Sequence, residues 1–170
     1  MSKSILIHEN GGPEKMQLAD VEVGSPGPGQ VKIRHTAIGL NFIDIYTRSG
    51  LYQTPLPNAV GREAAGVIVE VGPKTKGFKK GDRVAYCMVR GAYAEAANIP
   101  AWHAVKLPEG ISDEIAAAAL LKGLTARRRR GRQPTPIGPA LAGWAPKSPA
   151  PRTALWGSSC SRKWRGPERD

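Results

Sequence analysis

The sequence predicts a mainly β fold, a small barrel with a few short helices. Three observations carry this expectation. Short runs that alternate apolar and polar residues recur through residues 4–107, and a period of two marks half-buried strands. Breaker clusters such as Gly11-Gly12-Pro13 and Ser25-Pro26-Gly27-Pro28-Gly29 separate the runs, as turns do in small barrels. A helical pattern enters only late, in an Ala-rich run that follows Ser112.

Residues 4–8 form the first expected strand and residues 18–23 the second. Residues 30–39 alternate clearly through Val31, Ile33, His35 and Ala37. Residues 41–48 suit a short helix with Phe42, Ile45 and Tyr46 on one side. Residues 64–71 are apolar and β-branched and read as a buried strand, closed by Gly72-Pro73. Gly81-Asp82 turns the chain into a strand at 83–89, and residues 92–99 and 104–107 are two more. Ser112 is the expected N-cap of a helix over 115–121, where Asp113 and Glu114 suit the positive helix end. Gly123 is expected to interrupt that helix.

The chain carries 25 Lys and Arg against 14 Asp and Glu, a net charge of +11. The imbalance is local: residues 127–170 hold 11 of the basic residues and 2 of the acidic ones. A basic excess raises the question of nucleic acid, but the body, residues 1–126, is close to neutral. No apolar run is long enough to cross a bilayer, and no signal-peptide stretch follows Met1, so a cytoplasmic protein with no membrane partner is expected. The two cysteines, Cys87 and Cys160, cannot make a Cys-rich metal site.

Six short motifs follow one another in the body. They are Gly11-Gly12-Pro13-Glu14, Ala37-Ile38-Gly39-Leu40-Asn41-Phe42-Ile43-Asp44-Ile45-Tyr46-Thr47-Arg48-Ser49-Gly50-Leu51-Tyr52, Gly61-Arg62-Glu63-Ala64-Ala65-Gly66, Gly81-Asp82-Arg83-Val84, Gly91-Ala92-Tyr93-Ala94-Glu95 and Leu121-Lys122-Gly123-Leu124-Thr125-Ala126. In this order they resemble the zinc-independent quinone oxidoreductases, zeta-crystallin-like members of the medium-chain dehydrogenase/reductase superfamily. The resemblance covers residues 1–126. It implies a GroES-like barrel, followed in the family by a Rossmann domain that binds NADPH, with the active site between them. The implied reaction is hydride transfer from NADPH to a quinone, in which no side chain need be a nucleophile or a strong base. Relatives often form homodimers, and no specific nucleic-acid partner is implied.

The resemblance also implies the site. Asn41, Phe42, Ile43, Asp44, Ile45 and Tyr46 match the family segment that lines the cofactor cleft, and Lys122 and Thr125 match positions where the second domain begins. Tyr46 and Tyr52 offer hydroxyls on flat apolar rings that suit a planar quinone. No catalytic side chain is assigned. Alcohol dehydrogenase relatives place Cys and His zinc ligands near Asn41 and Arg62; an amide is a poor zinc ligand and a guanidinium repels a metal, so no metal is expected. Read without the family, Asn41 and Asp44 are helix-capping residues, the two tyrosines half-buried core, Lys122 an exposed helix-end cation, and Glu63 a surface acid or a neighbour of Arg62. His8, His35 and His103 read as structural or solvated.

After Thr125 the chain leaves the family pattern. The Rossmann domain is missing, since no strand leads into a Gly-rich phosphate turn; Gly131, Gly138 and Gly143 lie among Pro and Arg. Residues 127–170 hold 7 of the 15 prolines and 3 of the 4 tryptophans, and such a segment is expected to be disordered. Its composition suggests a shifted reading frame. Residues 143–151, back-translated and regrouped by one base, permit Leu-Gly-Ala-Glu-Val-Xaa-Gly-Thr, similar to the start of the second strand of the family's cofactor domain. On this reading the chain is truncated and inactive. The alternative is a basic-tailed protein that binds nucleic acid or an anionic surface, with Arg127, Arg128, Arg129 and Arg130 on phosphates and tryptophans stacked on bases.

Overall fold

Eight strands and two α-helices make up residues 1–129, the part of the chain that the computed structural model describes. The strands are β1 (Ser2–Ile7), β2 (Gln17–Val21), β3 (Gln30–Gly39), β4 (Asn58–Ala59), β5 (Glu63–Val71), β6 (Arg83–Cys87), β7 (Ala96–Pro100) and β8 (Val105–Lys106). The helices are α1 (Phe42–Arg48) and α2 (Asp113–Arg129). The mainly β expectation holds.

All pairings are antiparallel. One sheet has the order β2-β1-β4 and the other β7-β3-β5-β6-β8. Residues 93–95 join them. Tyr93 O accepts from Ile5 N, Glu95 N donates to Lys3 O, and Glu95 O accepts from His35 N. This explains why β7 starts at Ala96 rather than at residue 92. The preceding stretch bonds to β1 and bridges the sheets, so alternation there reports a crossing and not a strand. Met88 has φ +66°, which ends β6 two residues before its expected limit.

Inside the barrel, Val31, Ile33, Ile68, Val84, Tyr86 and Ile99 are fully buried. The outer face of the larger sheet is also covered. There Ala65, Ala85 and Cys87 pack against Ala116, Ala117 and Leu120 of α2. Small side chains on both surfaces let the helix lie close to the sheet, where dispersion contacts are strongest. Ser112 Oγ accepts the Ile115 N–H at 3.3 Å, as expected of an N-cap. Asp113 pairs with Arg83 at 2.6 Å, while the same guanidinium donates to Ile111 O at 2.7 Å. These contacts fix the start of α2 on β6.

Gly123 does not interrupt α2, which runs on to Arg129. A glycine inside a helix costs only about 1 kcal/mol relative to alanine, and the two turns before it are held down by the packing just described. The helix therefore extends three residues past the boundary expected at Ala126. The expectation of a disordered tail falls, from residue 130 on, outside the described residues. Among the described residues no helix is long and apolar enough to cross a membrane.

Candidate functional site

The segment of greatest interest begins where β3 ends. Gly39 and Leu40 lead into Asn41, which precedes α1 with an extended backbone. Asp44, at the third helical position, reaches back to accept the Asn41 N–H at 3.0 Å, the acidic half of a capping box. The Asn41 side chain supplies the other half of that box and also reaches beyond the helix. Its Nδ2 donates to Glu63 Oε2 at 2.8 Å, and its Oδ1 accepts from Lys122 Nζ at 3.1 Å. The capping reading thus holds for the Asn41–Asp44 pair, and the Asn41 amide bridges Glu63 and Lys122 as well.

α1 is amphipathic in an inverted sense. Its buried residues are Asp44 and Thr47, and Thr47 Oγ1 donates to Ile43 O. Phe42 is 75% exposed, with Ile45 and Tyr46 also on the exposed side. Ile43 is half-buried. Tyr52 joins the exposed group, its ring centroid 5.6 Å from that of Tyr46 in an edge-on arrangement, and its N–H donates to Tyr46 O. The two tyrosines are therefore exposed rather than core. Among the described residues nothing covers this outward apolar face of α1.

Lys122 and Thr125 lie one turn apart on α2. Lys122 Nζ donates to Asn41 Oδ1 and, at 3.2 Å, to Leu40 O, and stands 3.5 Å from Glu63 Oε2. Its ammonium is thus tied back onto the β3–α1 junction. Thr125 Oγ1 donates to Leu121 O within the helix. The structure brings Asn41, Asp44 and Lys122 into one polar cluster and Phe42, Ile45, Tyr46 and Tyr52 onto one apolar surface. Thr125 touches neither.

Glu63 was not expected here. Read as a surface acid, it is in fact fully buried at the start of β5. Besides its place in the Gly61–Gly66 motif, its sequence signal is a carboxylate at the head of the apolar run that follows it. Tyr93, which lies in the Gly91–Glu95 motif without an assigned role, is the other residue the sequence reading misses. Its hydroxyl donates to Asp44 Oδ2 at 3.1 Å, and its ring lies against Gly61, whose φ of +89° and crowded surroundings exclude a side chain.

Burial raises the Asp44 pKa above the ordinary carboxylate value, opposed by the Asn41 N–H, the Tyr93 hydroxyl and the Arg62 charge and reinforced by Glu63. Burial, together with Asp44, also raises the Tyr93 hydroxyl. Cys87, opposite Glu63 in the sheet, is pushed up to about 11 by burial and by the Glu63 charge. It is a packed thiol and not a nucleophile. His35, lowered by burial, donates from Nδ1 to Ala94 O and accepts at Nε2 from the Tyr86 hydroxyl, which is a structural role. Half-buried Arg62 is depressed by burial and by Arg90. Among the described residues, no group of three or more His, Cys, Asp or Glu is placed to hold a metal.

Residues 27–109 match the alcohol dehydrogenase GroES-like domain family. The chain is 49% identical over 127 residues to a quinone oxidoreductase of Pseudomonas aeruginosa, a match that covers 74% of this chain and 39% of that protein. It is 44% identical over 135 residues to a 2-haloacrylate reductase of a Burkholderia species, covering 75% and 40%. Among solved structures, Escherichia coli quinone oxidoreductase complexed with NADPH superposes with a TM-score of 0.73 at 45% identity, over 75% of this chain and 40% of that one. The chain thus spans about two-fifths of the length of the relatives it matches. The described domain belongs to the alcohol dehydrogenase GroES-like family and is similar to the matching part of quinone oxidoreductases.

Proposed function

We propose that this domain forms one wall of a site where hydride passes from NADPH to a quinone, in a cytoplasmic enzyme. The observation that carries this reading is the outward apolar face of α1, with Tyr46 and Tyr52 in edge contact and a buried polar cluster behind it. Phe42, Ile43 and Ile45 supply apolar contact to the cofactor, Asn41, Asp44 and Lys122 form the polar edge of its site, and Thr125 stands one helical turn beyond that edge, toward the cofactor. Tyr46 and Tyr52 face the quinone. NADPH would supply the hydride. The chain's own residues orient the reactants and exclude water, and orientation alone carries much of such a rate.

One wall does not hold a dinucleotide. The family's phosphate turn has no counterpart in the sequence after Thr125, and without backbone N–H groups at a helix start the phosphates lose their main partners. The 170-residue chain is therefore inactive by itself on this reading, its later residues a shifted frame of the cofactor domain. The nucleic-acid alternative is not favoured by the body, whose charge is near neutral and where six of the 14 basic residues in 1–126, Lys3, Lys15, Lys32, Arg83, Lys106 and Lys122, are paired with a carboxylate.

Titration of the isotopically labelled chain with 1,4-naphthoquinone at millimolar concentration tests the wall. The resonances of Phe42, Ile45, Tyr46 and Tyr52 should move first. Movement centred on any other surface would refute the assignment.

A further inference from the structure

A single buried carboxylate organises the polar side of this wall. Glu63 Oε1 accepts the Leu121 N–H at 2.6 Å. Glu63 Oε2 accepts from Asn41 Nδ2 at 2.8 Å and lies 3.5 Å from Lys122 Nζ. In a helix the Leu121 N–H points toward the Ala117 carbonyl. The Ala117 oxygen lies against Gly39, and the carboxylate from β5 meets the helix at the same rung. The same carboxylate decides which way the Asn41 amide points. A carboxylate accepts only, so Asn41 must turn its Nδ2 inward. Its Oδ1 then faces Lys122, whose ammonium is drawn onto Asn41 Oδ1 and Leu40 O.

We propose that Glu63 is the positioning residue of the site. It acts through Asn41 and Lys122, holding the amide in one of its two orientations and the ammonium against the β3–α1 junction, and it ties both to α2 at Leu121. The polar edge is thereby formed before any ligand arrives, as preorganised sites require. The purpose assigned to Glu63 rests on the proposed function; the arrangement itself does not.

The test uses the 170-residue chain without NADPH or quinone, so its failure and a failure of the proposed function are separate results. Glu63→Gln preserves shape and still accepts from Leu121, but it turns an NH2 toward the Asn41 NH2. The expected result is a flipped Asn41 amide, seen as displaced side-chain resonances, and a several-fold rise in Lys122 acetylation by limiting acetic anhydride relative to Lys3. The exchanged pair Asn41→Asp with Glu63→Gln restores one carboxylate, one amide and one ammonium, and should return Lys122 to its original reactivity. Unchanged Lys122 reactivity in Glu63→Gln overturns the proposal. So does a rise that the exchanged pair fails to reverse, which would mark Glu63 as packing alone. Should Glu63→Gln fail to fold, the unaltered chain still decides. Scalar coupling across the hydrogen bonds from Leu121 N and Asn41 Nδ2 to Glu63 Cδ is expected, and its absence overturns the proposal.

Discussion

Gly39 sits directly beneath the Ala117 carbonyl: a Cβ at Gly39 would press into that oxygen and come within 2.7 Å of Glu63 Oε2. Backbone and a buried carboxylate cannot yield as a flexible side chain can. Gly39→Ala should therefore destabilise the domain by about 1–3 kcal/mol or more, as overpacking does. Gly123, in the same helix as Ala117, has open space where its Cβ would stand. Gly123→Ala should stabilise by about 0.5–1 kcal/mol through helix propensity. Urea denaturation midpoints of the two variants should move in opposite directions. A shift of the same sign in both would contradict the packing described for α2.

Asp44 carries a titration signature. Its Oδ1 is buried with no hydrogen-bond partner among the described residues, and its pKa is raised, chiefly by burial. A carboxyl whose folded value lies above its unfolded value favours the fold below the unfolded value, and that contribution is lost as pH rises through the folded one. Asp44→Asn retains an acceptor for Asn41 N and Tyr93 Oη and cannot ionise. Relative to the variant, the parent chain should lose stability as pH rises from the ordinary aspartate range through the raised value. Unfolding free energies that run parallel across this interval would show that Asp44 is not strained by its charge.

Asp113 has the opposite sign. Burial would raise it, but the Thr36 hydroxyl and the Arg83 guanidinium outweigh burial and hold it below the ordinary value. Its contribution is present above the unfolded value and disappears as pH falls through the folded one. Asp113→Asn should cost about 1.5–3 kcal/mol at neutral pH, the range for hydrogen bonds to a charged group, and progressively less in acid. A cost independent of pH would place the role of Asp113 in shape rather than charge.

Tyr46 and Asn41 should separate function from folding. No hydrogen bond of the Tyr46 hydroxyl is found among the described residues, and the residue is 38% exposed. Tyr46→Phe should leave stability within about 0.5 kcal/mol of the parent, as surface changes do. Asn41→Ala removes a donor from a fully buried carboxylate, and a loss of about 1–3 kcal/mol is expected. Thermal unfolding of both variants checks the contrast. A strongly destabilised Tyr46→Phe would show that this tyrosine belongs to the core.

Most of the barrel is legible in the sequence because period-two alternation records which strand face is buried. β3 begins and ends where alternation predicts, at Gln30 and Gly39. What the sequence hides is contact at long separation. Glu63 looks like a surface acid because its partners, Asn41, Leu121 and Lys122, lie 22 to 59 residues away and two of the contacts are to a helix that packs across the sheet. Residues 93–95 look like a strand because the pattern does not say which neighbour they bond. Without the family, Tyr46 and Tyr52 read as half-buried core for the same reason: periodicity locates an apolar stripe but does not reveal what covers it.

The central claim, that this domain is half of an NADPH–quinone site, is tested most directly by NADPH oxidation with a quinone acceptor. The assay compares the 170-residue chain with the product of a gene whose frame is corrected near the codon for Thr125. The account predicts no rate above background for the chain as it stands. The corrected protein should reduce the quinone, and Tyr46→Phe within it should slow turnover while unfolding at the parent temperature. Oxidation of NADPH by the 170-residue chain at an ordinary enzymatic rate would contradict the account, as would a folded, corrected protein that binds NADPH and leaves quinones unreduced.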